Sequence, residues 1–232
     1  MRKSASSFCA PSSQETTLGF CYLAFQMILL PGILTWGNRQ LTTPLNSAEL
    51  NFVFYLLNFL AVILIFHDFL GRSAEQVRQH PAYFCQAVIL GLAAYYACTY
   101  TIDYVVSLLS PGFANYNDGS IAAMKQTNAF LMLIGTVVLV PPAEECFYRG
   151  LIFRNLYRKS PAAAYIVSIV IFACIHVLGY IGVYSPLDLA LAVLQYLPAG
   201  LCLAWSYVKG QGIFAPILIH AWINLSAMQQ LR

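Results

Sequence analysis

Seven mostly apolar stretches follow one another along this chain, and nothing constrains its fold more. A hydrocarbon layer of ~30 Å takes about twenty apolar residues per helix, and a backbone inside lipid must satisfy its own N–H and C=O groups. The stretches are therefore read as spanning helices near Thr17 to Trp36, Ala48 to Leu70, Tyr83 to Leu109, Asn128 to Phe153, Ala162 to Val183, Leu187 to Val208 and Ile213 to Met228. Composition agrees, with 59% hydrophobic and only 9% charged residues, against about 25% charged in soluble domains. The expected fold is an all-α, polytopic membrane protein of about seven transmembrane helices. The connections, such as "GRSAEQVRQHP" and "SPGFANYNDGS", carry turn signals and are too short for a second, water-soluble domain.

Basic residues suggest an orientation. With the amino terminus inside, Arg2, Lys3, Arg72, Arg78, Arg154, Arg158, Lys159 and Lys209 lie on the cytoplasmic side, while Arg39, Lys125 and Arg232 lie outside. The carboxyl terminus is then expected outside. The first apolar run exceeds the usual ~7–15 residue core of a signal peptide and no small-x-small site follows it, so it reads as an uncleaved anchor. A net charge of +3 gives no reason to expect a nucleic-acid partner. Seven cysteines, most of them inside spans and none in a C-x-x-C pair, read as small apolar packing residues rather than disulfides or a metal site. Organisation follows the chemistry: residues 1–127 form a three-span region without a recognisable motif, and 128–232 form a four-span core that carries all of it.

Ionisable and strongly polar residues within spans are few, each costing at least ~2.5–3.5 kcal/mol at the bilayer centre. Most fall into three groups. In "VPPAEECFYRGLIF", Glu145 and Arg149 are four apart and can pair on one helical face, whereas Glu144 projects about 100° away with Phe147 and Tyr148 as its helical neighbours. Pro141 and Pro142 remove backbone donors, which predicts a break or a kink there; if the second half starts afresh, both glutamates occupy its first turn and meet free N–H groups. "FACIH" places Phe172 and His176 on one face, and "HAWIN" does the same for His220 and Asn224. Counting ~1.5 Å per residue from the cytoplasmic ends puts Glu144 about 15 Å deep, His176 about 21 Å, His220 about 12 Å and Asn224 about 18 Å. Three helices thus offer a carboxylate, two imidazoles and a carboxamide near one level, where they must satisfy one another or line a wet cavity. Asp103, among Tyr95, Tyr96, Tyr100 and Tyr104, is expected to be structural, satisfied by a tyrosine or by Lys125.

A carboxylate and an imidazole that share one water form a general base for attack on an amide carbonyl. A second imidazole and an amide N–H suit the oxyanion that follows. The same atoms also make a zinc ligand set, Glu144, His176 and His220 with an open fourth position. The H-E-x-x-H spacing of zincins is absent, so no cofactor is favoured. Cys146 and Cys174 lie near the cluster and keep a cysteine nucleophile in view. A small transporter would show internal repeats and a polar stripe running to both faces, and neither is seen.

Taken together, EExxxR at Glu144, Glu145 and Arg149, FxxxH at Phe172 to His176 and HxxxN at His220 to Asn224 resemble the signature of the CAAX protease and bacteriocin-processing (CPBP, or Abi) family of intramembrane proteases. The resemblance covers roughly Asn128 to Met228. It implies an endopeptidase in which Glu144 and His176 activate water and His220 and Asn224 form the oxyanion hole, with Glu145, Arg149 and Phe172 in support. It further implies a membrane-embedded or lipidated protein or peptide as substrate, of the CaaX or carboxy-terminal sorting-tail kind, and a prokaryotic plasma membrane as location. Relatives that serve in bacteriocin immunity leave a non-enzymatic protein of the same fold as the alternative.

Overall fold

The computed structural model describes residues 8–230, and among these every regular element is a helix. Arg2, Lys3 and Arg232, used above for orientation, lie outside the described residues. The helices are α1 (Ser13–Ile28), α2 (Leu30–Arg39), α3 (Ser47–Ile65), α4 (His67–Gln79), α5 (Pro81–Leu109), α6 (Tyr116–Thr127), α7 (Ala129–Tyr157), α8 (Pro161–Val177, prolonged by a turn of 3-10 helix to Tyr180), α9 (Pro186–Lys209) and α10 (Phe214–Gln230).

Five of them, α3, α5, α7, α8 and α9, are long and apolar enough to cross a membrane, and α1 with α2 makes a sixth if the bent pair counts as one span. The chain is an all-α, multi-pass membrane protein, but three of the seven expected spans differ in detail. The first is bent by 46° between α1 and α2, where Pro31 cannot donate the bond that would continue the helix. The last, α10, has 17 residues, about 26 Å of helix at ~1.5 Å per residue and short of a ~30 Å layer. The second span also ends earlier than expected, at Phe66, after which α4 sets off as a separate polar helix.

Local sequence accounts for several starts. Ser12 with Glu15 caps α1 and Asn46 with Glu49 caps α3, each pair satisfying two backbone donors reciprocally. Proline at the first turn opens α5, α8 and α9, where its missing N–H costs nothing. Helices α8 and α9 pack backbone to backbone at Gly200, where a Cβ would stand 3.1 Å from the Ile169 Cα.

The distribution of polarity is that of a protein in lipid. Leu64, Phe130 and Ile166 face outward, whereas Glu145 and Arg149 are wholly buried. Helix α6 is not a span; it packs through Ile121 and Met124 against Ala48, Met132 and Met228.

Candidate active site

Helix α7 supplies the first group of side chains, and it runs on through the prolines where a break or a kink is expected, with no fresh start. It runs from Ala129 to Tyr157, with π-helical turns at Gly135–Leu139 and Cys146–Phe153 on either side of the Val140–Glu145 segment that holds both prolines. The Val140 N–H reaches back five residues to the Gly135 carbonyl, and that of Arg154 reaches Arg149. A proline ring clashes with the carbonyl four residues before it in an α-helix, and the widened π turn relieves that clash without stopping the helix. Neither glutamate therefore sits at a helix start; Glu145 is served by side chains instead of free backbone donors, and Glu144 Oε2 makes no hydrogen bond among the described residues.

The prolines nonetheless shape the site. In the π register the Thr136 carbonyl would accept from residue 141, which is a proline, while the Val140 N–H is taken by Gly135. The carbonyl left bare accepts from Asn224 Nδ2 of α10 at 2.8 Å. A carboxamide has two N–H donors, so Asn224 is fixed by one and keeps the other for the cavity that it lines. Pro141→Ala restores a competing backbone donor. We expect any activity of this site to fall about tenfold or more through misplacement of Asn224, with the thermal midpoint in detergent nearly unchanged. Full activity of the variant would separate the proline from Asn224.

Glu145 does more than pair with its helical neighbour. Its Oε1 accepts from Arg149 Nη1 at 3.0 Å and from His220 Nδ1 at 2.7 Å, and all three side chains are buried. Arg149 also donates through Nη2 to the Gly200 carbonyl at 3.3 Å and lies over the Phe172 ring, 4.3 Å from its centroid. A carboxylate can only accept, so the His220 proton sits on Nδ1, and in a neutral ring Nε2 carries a lone pair. That Nε2 faces Glu144, whose Oε2 is 4.0 Å away. Glu144 is 26% exposed, and its Oε2 has no hydrogen-bond partner among the described residues.

His176 is oriented differently. Its Nδ1 is 2.7 Å from the Phe172 carbonyl, four residues back in its own helix, so Nδ1 again holds the proton and Nε2 is free to accept. The ring stacks on Tyr196 at 4.5 Å. Phe172 meets His176, His220, Tyr148 and Arg149, and so forms the apolar floor between the two imidazoles.

Glu144, His176, His220 and Asn224 all line one cavity of about 940 Å³ that extends to α6. The sequence placed them at a common level; the structure adds that Glu144 has His220 as its recorded imidazole neighbour, where His176 was expected. Among the described residues no three His, Cys, Asp or Glu side chains converge on a point that would hold a metal ion, so as placed the set Glu144, His176 and His220 does not fit zinc. Cys146 is buried in the apolar core with Phe66 and Phe147, and neither it nor Cys174 lines the cavity. Asp103 does line it, and its recorded donor, at 3.1 Å, is Gln195, a residue outside the expected set. Sequence reasoning passed over Thr136, Gly200 and Tyr196, whose contributions are a carbonyl, a close backbone approach and a ring face. The one readable signal was the proline five residues after Thr136.

Residues 126–226 match the family model of the type II CAAX prenyl endopeptidases, Rce1-like, which is consistent with the CPBP family. The match takes in less than half of the chain. It includes every residue of the three motifs. No curated protein and no solved structure matches the chain.

Proposed function

We propose that this Rce1-like domain is a metal-independent intramembrane endopeptidase that hydrolyses a peptide bond near the end of a lipidated or membrane-embedded substrate. The observation that carries the reading is the meeting within one cavity of a carboxylate, Glu144, whose Oε2 makes no hydrogen bond among the described residues, with two imidazoles whose Nδ1 protons are already committed. Committed Nδ1 protons leave both Nε2 atoms to act in the cavity. Its ~940 Å³ is at the upper end of the ~300–1,000 Å³ typical of small-molecule pockets and suits a few residues of extended peptide.

In this mechanism Glu144 and His176 Nε2 hold one water between them. As the water oxygen bonds to the scissile carbonyl carbon, its proton passes to Glu144, and the carbonyl becomes an oxyanion. Asn224 Nδ2–H donates to that oxyanion. His220 joins it only as an imidazolium, because its Nδ1–H is held by Glu145; in that state two carboxylates, Glu144 and Glu145, are balanced by Arg149 and His220. Collapse breaks the C–N bond, the Glu144 proton goes to the leaving amine, and the products are a carboxylic acid and an amine.

The test uses the full chain in detergent or liposomes, with a farnesylated peptide ending in a CaaX tail and an unmodified hydrophobic tail peptide as substrates. His176→Ala is expected to slow cleavage about a hundredfold or more, and a zinc chelator is expected to leave the wild type unaffected. Chelator inhibition reversed by zinc would overturn the metal-free mechanism, and undiminished cleavage by His176→Ala would remove the histidine from it.

A further inference from the structure

Outside the matched residues, helix α3 lines the same cavity with three polar residues, Ser47, Asn51 and Tyr55, of which Tyr55 lies against the turn of α7 that holds Asn224. Tyr55 lines the cavity together with Glu144 and Asn224. No hydrogen bond joins its hydroxyl to any described residue. Tyr55 is half-buried, and its O–H is left to whatever occupies the cavity.

The ring is held in place by the π turn of α7. At Gly135 a Cβ would stand 2.7 Å from the Tyr55 Cδ2 and 3.3 Å from its Cε2, so only glycine lets the ring lie against that turn. The next residue, Thr136, holds Asn224 through its carbonyl. One turn of α7 therefore positions two side chains, a carboxamide from α10 and a phenol from α3, on the cavity that Glu144, eight residues beyond Thr136, also lines. Rigid neighbours on both sides are what a preorganised donor requires.

We propose that Tyr55 is a catalytic residue: its O–H donates to the substrate's scissile carbonyl oxygen as that oxygen takes up negative charge, alongside Asn224. The proposal rests on the peptidase reading above. It gives the amino-terminal region a part in the chemistry, since the oxyanion site is incomplete without α3. The phenol keeps its proton throughout and no bond to it is made or broken.

The experiment measures kcat and KM of the full chain on the tail peptide it cleaves best, comparing wild type, Tyr55→Phe, Gly135→Ala and Glu144→Gln. Phenylalanine keeps the ring and its packing, so the thermal midpoint of Tyr55→Phe should match the wild type. Its kcat is expected to fall about ten- to hundredfold with KM within about twofold. Gly135→Ala, which pushes the intact tyrosine away, should lose kcat in the same direction. Tyr55→Phe with an unchanged kcat, or with a change in KM alone, overturns the proposal. If that result accompanies an inactive Glu144→Gln, only the role of Tyr55 is lost. If Glu144→Gln also cleaves at the wild-type rate, the peptidase reading fails with it.

Discussion

Replacing Glu144 with glutamine is expected to stop peptide hydrolysis, by about a thousandfold or more, while leaving the fold as stable as the parent. General-base catalysis contributes ~10²–10⁴, and glutamine matches glutamate in shape but cannot take a proton from water. Stability should be untouched because the side chain has little to lose: Glu144 Oε2 makes no hydrogen bond among the described residues, and its nearest recorded charge partner, His220 Nε2, is 4.0 Å away. Removing one of two adjacent carboxylates also lowers the electrostatic cost of burying the other. The pair of readouts is kcat on a tail peptide and the thermal midpoint in the same detergent. A variant that retains more than about a tenth of the wild-type kcat would leave Glu144 outside the chemistry, whatever its effect on stability.

The contrast between Glu144 and Glu145 shows what could be read from sequence. Helical spacing separates the two, because Arg149 is four residues after Glu145 and nothing comparable serves Glu144. Counting residues from the span ends then places Glu144, His176, His220 and Asn224 at one level, and in the structure they line one cavity. What spacing cannot supply is which side chain faces which across helices. The bond from His220 to Glu145 spans 75 residues and that from Asn224 to Thr136 spans 88. Each depends on the rotation of α10 against α7, which packing sets. The course of the chain at the double proline is also set by packing. A rule for α-helices predicts a break or a kink at Pro141, but tertiary packing holds the chain in a wider turn that tolerates the proline. Likewise Tyr55 was one of 15 tyrosines until Gly135 showed where its ring must lie.

The largest effect on stability is expected from Arg149→Met. Both partners of the Glu145 to Arg149 pair are 0% exposed, and breaking a buried pair by removing one member strands the other charge, at about 3–5 kcal/mol. The loss of the guanidinium also removes its bond to the Gly200 carbonyl and its contact with Phe172. The double variant Glu145→Gln with Arg149→Met should recover much of this, because deleting both charges at once is often nearly neutral. Activity should not recover with it. A glutamine in place of Glu145 offers no negative charge to stabilise the His220 imidazolium, the form assigned above to the oxyanion. A comparable change at a carboxylate that orients a catalytic histidine lowers kcat by ~10⁴ in a serine protease, and a loss of about a hundredfold or more is expected here. Unfolding midpoints and kcat, measured on the single and double variants, separate the two roles. Recovery of both together would make Glu145 a structural partner of Arg149 and nothing more, while recovery of stability alone would show that the carboxylate positions His220.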